Sequence, residues 1–98
     1  MNPRDGTILA YRATYLAMTD QKAEAMDSLQ KALSLSPRDP DVQFRAALVY
    51  NHFGDDDRTV EWLKKSLASG MPASFVLSTP DFDHLRADAR LQQLFSGH

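Results

Sequence analysis

The sequence matches itself at an offset of 34 residues. Pro3, Arg4 and Asp5 meet Pro37, Arg38 and Asp39, while Ala13 meets Ala47, Leu29 meets Leu63, Lys31 meets Lys65 and Leu33 meets Leu67. These seven identities fall within the first 37 pairs, where ordinary amino-acid usage would give about two. Ile8 with Val42, Leu16 with Tyr50 and Asp27 with Glu61 add conservative matches. Such a period limits the fold to stacked supersecondary units, each burying its apolar face against the next.

Each unit reads as two helices. Ile8, Leu9, Ala13, Leu16 and Ala17 recur at helical spacing, and Asp20-Gln21-Lys22 is a polar break. Ala25, Leu29, Ala32 and Leu33 then form a second stripe, ended by Ser36-Pro37 because proline disfavours helix in the residue before it. In the second unit Val42, Ala46, Ala47, Val49, Tyr50 and Phe53 build one helix, and Val60, Leu63 and Leu67 the next. Gly54 suits a left-handed helix stop, and Asp55-Asp56-Asp57 suits the following N-terminus. The spacing predicts helices over Gly6–Thr19, Lys22–Ser34, Pro40–Phe53 and Asp56–Ser69, then shorter pieces. Ala13, Ala25, Ala32 and Ala47 are small enough to let helix axes approach closely.

This pattern resembles the tetratricopeptide repeat, a 34-residue helix–turn–helix. The first unit, from Gly6, has Leu9, Ala13, Leu16, Ala25, Leu29, Ala32 and Pro37 at the family's places. The second, from Pro40, has Ala46, Ala47, Tyr50, Gly54, Leu63 and Leu67. Arg12, Gln43, Thr59 and Ser66 depart from the pattern. The resemblance implies an all-α fold, with the repeats stacked as a short right-handed α-solenoid. One domain over 1–98 then comprises repeats at 6–39 and 40–73 and an irregular third unit or cap at 74–98. Phe82, Leu85, Leu91, Leu94 and Phe95 are the apolar residues of that tail, and Asp88 is placed as an N-cap. Pro80 to Leu91 is similar to the ends of repeat arrays in bacterial multidomain proteins, which implies a C-terminal piece of a larger bacterial array.

Composition removes several functions. There is no cysteine, so no disulfide scaffold, thiolate zinc site or cysteine nucleophile. A net charge of −2 argues against nucleic acid as partner, and no apolar run approaches a bilayer span. The polar N-terminus does not read as a signal peptide, and the expected location is cytoplasmic. His52, His84 and His98 are the only histidines, and no catalytic motif accompanies them, so the reading is of a non-enzyme without cofactor or metal. Asp55-Asp56-Asp57 reads as capping rather than calcium ligation, since its side chains diverge and no distant Glu follows at loop spacing. Tyr11, Tyr15, Phe44, Tyr50, Phe53 and Trp62 read mostly as packing residues, with an exposed partner anchor the second reading for Trp62.

The family resemblance also implies a concave groove lined by the first helix of each unit. Its places fall on Thr7, Ala10, Thr14, Ala17 and Met18, and on Asp41, Phe44, Arg45, Leu48, Asn51 and His52. Residues 41, 44, 45, 48, 51 and 52 also share one helix face by spacing. The expected partner-binding groove is Asp41, Phe44, Arg45, Leu48, Asn51 and His52 with Thr14 and Met18. Apolar and donor groups together suit a peptide or protein segment. The places that hold a carboxylate clamp in chaperone-binding relatives carry Ala10, Thr14 and Arg45, so that clamp is missing. The alternative function is a structural or oligomerisation element, a homodimer pairing through an exposed repeat face.

Overall fold

In a computed structural model the backbone is described over residues 4–85 and 88–96, and the side chains over 6–85 and 88–93. Pro3, His98 and the side chains of Arg4, Asp5, Leu94 and Phe95, named above, lie outside the described residues. The described elements are all helical: α1 Arg4–Met18, α2 Lys22–Leu35, α3 Pro40–His52, α4 Asp56–Ala68, α5 Ala73–Leu77, a 3₁₀ segment Pro80–Leu85, and α6 Ala89–Ser96. Apart from α1 starting two residues early, the four long helices lie within one residue of the predicted bounds.

The 34-residue offset recurs in the backbone. Gln21 N–H donates to the Leu16 carbonyl at 2.9 Å, and Asp55 N–H, 34 places on, donates to the Tyr50 carbonyl at 3.0 Å. Between the two ends of each bond sits a left-handed residue, Asp20 at φ 62° and Gly54 at φ 78°. This is the Schellman stop, which pairs carbonyls that the helix end would leave free. Asp replaces Gly in the first unit at some steric cost, which a short polar side chain tolerates best. The starts of α3 and α4 are fixed by side chains, whereas α2 has no side-chain cap. Asp39 Oδ1 accepts from Asp41 N at 2.9 Å with Pro40 at the first helical position. Asp55 Oδ1 accepts from Arg58 N at 3.1 Å.

α1 packs chiefly on α2 and α3 chiefly on α4, and the two hairpins join through α1 and α3. The short dimension of the molecule is 19 Å, about two helix diameters, so the helices form two layers. Ala13, Leu16, Ala17, Ala25, Leu29, Ala46, Val49 and Tyr50 make the core between hairpins. A second cluster joins Phe44, Ala47, Val60 and Leu63 to Val76, Phe82, Leu85 and Leu91 from the three C-terminal pieces. Fully burying a Leu or Val side chain contributes roughly 1.5–3 kcal/mol, and Leu29, Leu63, Val42, Val49 and Val60 are all below 2% exposed. Ile8, Tyr11 and Tyr15, read as apolar-stripe or packing residues, are instead exposed. They lie on the side of α1 away from Ala13 and Ala17, where α3 reaches only Tyr11, through Arg45. Trp62 is half-buried between the two main clusters, with Lys65 Nζ 4.3 Å above its ring.

Three of the four polar residues that break the repeat pattern make local hydrogen bonds. Thr59 Oγ1 donates to the Asp55 carbonyl at 2.7 Å and Ser66 Oγ to the Leu63 carbonyl at 2.9 Å. Gln43 Nε2 donates to the Pro37 carbonyl at 2.9 Å, bracing the turn between hairpins. Acidic residues at the start of α4 also hold the tail. Arg90 reaches Asp57 and Asp88, each at 2.9 Å, and His84 Nε2 lies 3.3 Å from Asp56. The three adjacent aspartates therefore have three separate partners and do not converge on one point.

Two outcomes follow from this packing. A methyl group on Gly6 would fall on the Ser36 side chain and lie 3.3 Å from the Ala32 carbonyl. Gly6→Ala gains about 1 kcal/mol of helix propensity but overpacks by about 1–3 kcal/mol. Urea unfolding should show a net loss of stability, and a gain would mean that α1 and α2 can spread apart freely. The second concerns pH. The Asp88 carboxyl is held below its ordinary value, first by the hydrogen bond from the Arg90 side chain and then by that from the Arg90 backbone. A lowered folded pKa stabilises the fold fully above the ordinary carboxylate range and is lost as pH falls through the folded value. Thermal midpoints measured from about pH 5 down to pH 2 should fall less steeply in Asp88→Asn than in the parent.

Candidate functional site

Arg45 organises the inner face. Its guanidinium lies 3.8 Å from the centre of the Tyr11 ring, a cation–π contact that ties α3 to α1. Tyr11 and Arg45 are themselves 34 residues apart, so equivalent positions of successive units touch. Asp41 Oδ1 stands 3.7 Å from Arg45 Nε, which is beyond hydrogen-bond reach, and that buried Nε has no hydrogen-bond acceptor. Arg45 is thus oriented without having its Nε donor satisfied.

Beside it, Thr14, Ala17, Met18, Arg45, Leu48, His52 and Asp81 line a cleft of about 130 Å³. Five of the eight groove residues expected from the sequence meet here: Thr14, Met18, Arg45, Leu48 and His52. Two further pairs stand at the repeat offset, Thr14 with Leu48 and Met18 with His52. Leu48 packs at the edge of the second cluster and supplies an apolar wall. His52 Nε2 lies 3.2 Å from Asp20 Oδ1, so the end of α3 is tied to the left-handed stop of α1. Thr14 turns its hydroxyl back to the Tyr11 carbonyl at 2.7 Å.

The other three expected residues lie elsewhere. Phe44 is a correction: it is only 4% exposed and does not line the groove. Phe75 stands 5.1 Å away, tilted, and Phe82 5.7 Å away, edge-on. Phe75 of α5 and Phe82 of the 3₁₀ segment thus pack on the Phe44 ring, Phe82 buried and Phe75 still half exposed. Asn51 donates from Nδ2 to the Asp81 carbonyl at 2.9 Å and so holds the tail, while its Oδ1 is buried without a donor. Asp41 lies one turn before Arg45, outside the cleft lining. Ala10 is fully buried rather than concave surface. Ala17, at 1% exposed, adds little surface to the cleft.

The sequence reading missed Tyr11 and Asp81. The 34-residue offset from Arg45 is the signal that marks Tyr11. Asp81 has no counterpart by repeat, since it belongs to the irregular tail. Among the described residues no group of three or more His, Asp or Glu side chains is gathered to hold a metal ion. No described helix is long and apolar enough to cross a membrane.

Phe44→Ala should cost about 3–5 kcal/mol, as for a buried aromatic, and loosen the tail. Protease nicking between residues 72 and 90 should accelerate; unchanged stability would place Phe44 back at the surface. Compared with known proteins, the chain matches no family model, and neither curated proteins nor solved structures yield a significant match.

Proposed function

We propose that this chain is a non-catalytic interaction module of tetratricopeptide type. In this reading its two hairpins and C-terminal pieces form a short right-handed solenoid capped at one end. It belongs to a larger bacterial, cytoplasmic protein and needs no cofactor. The α1/α3 cleft receives a peptide or protein segment. The observation that carries the reading is the meeting of Thr14, Met18, Arg45, Leu48 and His52 in one cleft. The recurrence of the helix stops at 34 residues supports the repeat assignment.

The chemistry of the cleft suggests the kind of segment. Leu48 and Met18 offer apolar contact, and Arg45, held on the Tyr11 ring, offers a positive charge. An acceptor-rich segment with a carboxylate and one apolar side chain fits this arrangement. The test is selection from a random peptide display library on the immobilised chain, followed by titration of the selected peptide. Arg45→Glu and Leu48→Ser should each weaken binding by about tenfold or more, with helicity unchanged. Selection of no peptide, or equal binding by the parent and both variants, would remove the cleft as the site.

A further inference from the structure

We propose that the outer face of α1 is a homodimer interface, on which a second copy of this chain lays its own α1 in antiparallel orientation. This goes beyond the cleft reading and rests mainly on Ile8 and Tyr15, which do not line the cleft. Ile8 is 62% exposed, Tyr11 48%, Tyr15 65% and Met18 76%. At 3.6 residues per turn they fall within an arc of about 80°. The opposite side of α1, through Ala10, Ala13 and Ala17, is buried against α2 and α3. The stripe is therefore an apolar face that stays largely open, with α3 reaching its edge through Arg45 on the Tyr11 ring.

Its area and its order point to a second copy. With about 200 Å² for a fully exposed side chain of this size, the four leave about 500 Å² open. Two such stripes bury about 1,000 Å², the lower bound for a specific interface, and tyrosine and methionine are enriched in such surfaces. The order is aliphatic, aromatic, aromatic, aliphatic, at spacings of three, four and three residues. That order reads the same in both directions. A twofold interface requires self-complementarity, and antiparallel pairing about residue 13 supplies it. Ile8 then meets Met18 of the second copy, and Tyr11 meets its Tyr15. Exposed Arg12 lies beside the twofold axis, where the two copies bring like charges together. The dimer is consequently weak, and screening should strengthen it.

Sedimentation equilibrium over a concentration series tests this. The mass should rise from 11.0 kDa toward twice that value as the protein approaches about 1 mM, and association should tighten with salt and in Arg12→Gln. Ile8→Glu and Tyr15→Glu should each weaken association by about tenfold or more without loss of helicity. A mass that stays at 11.0 kDa throughout, or a dimer indifferent to both changes, overturns the proposal. The native chain has no cysteine, so register can be read separately. A mixture of Ile8→Cys and Met18→Cys chains should form the mixed disulfide. Ile8→Cys alone should not cross-link, because two copies of position 8 are about 15 Å apart along the paired helices. Cross-linking of Ile8→Cys alone, with none in the mixture, would overturn the antiparallel pairing.

Discussion

Ala10, Ala13 and Ala17 leave α1 with almost no side chain where α2 and α3 press against it. Ala25 and Ala32 do the same on α2, and Ala46 and Ala47 on α3. Close packing then comes from backbone approach as much as from large apolar groups, as at Gly6, whose missing side chain makes room for Ser36. The joint between hairpins depends on this spacing. A larger residue on the shared face of α1 would hold α3 away, and Arg45 would no longer lie 3.8 Å from the Tyr11 ring. Helix contact, cation orientation and the shape of the cleft are thus one geometric consequence of small residues.

The second unit carries polar residues in its core and still keeps its helix packing. Thr59 and Ser66 stand fully buried where alanine would fit, yet each returns its hydroxyl to a carbonyl of its own helix. A buried hydroxyl without a partner would cost on the order of 1–3 kcal/mol, so the local bond makes the substitution tolerable. Gln43 is less fully satisfied. Its Nε2 braces Pro37, but its Oε1 is buried without a donor. Phe82, Leu85 and Leu91 pack around Phe44, Ala47 and Leu63, so apolar burial from the tail stabilises this unit.

Where the sequence repeats, the structure was legible from it. Leu16 and Tyr50, Asp20 and Gly54, and the starts of α2 and α4 are all related by the same offset. One set of stop and start signals therefore placed four helices. Asp20 was harder to read as a left-handed residue, because the usual glycine is absent there. Within the cleft, Thr14, Met18, Arg45, Leu48 and His52 were legible from helical spacing and family resemblance together. Phe44 was not, because its burial depends on Phe75 and Phe82 in a segment with no repeated template. Tyr15 failed for the opposite reason. Helical spacing sorts residues onto faces, but only the neighbouring elements decide which face is covered.

The uncovered face and the cleft are not independent surfaces. Met18 belongs to both, as the last member of the α1 stripe and as a wall of the cleft. Tyr11 links them as well, since it is half exposed on the stripe while its ring carries the Arg45 guanidinium. A group that settles on the stripe removes water from around that contact, and a cation–π pair strengthens as it is desolvated. Arg45, which also lines the cleft, would then be held more firmly. The same occupant would restrict Met18, whose unbranched chain otherwise adapts to whatever lies beside it. If a second copy covers the outer face of α1 as proposed, Met18 and Tyr11 are the two side chains through which that occupancy would reach the cleft.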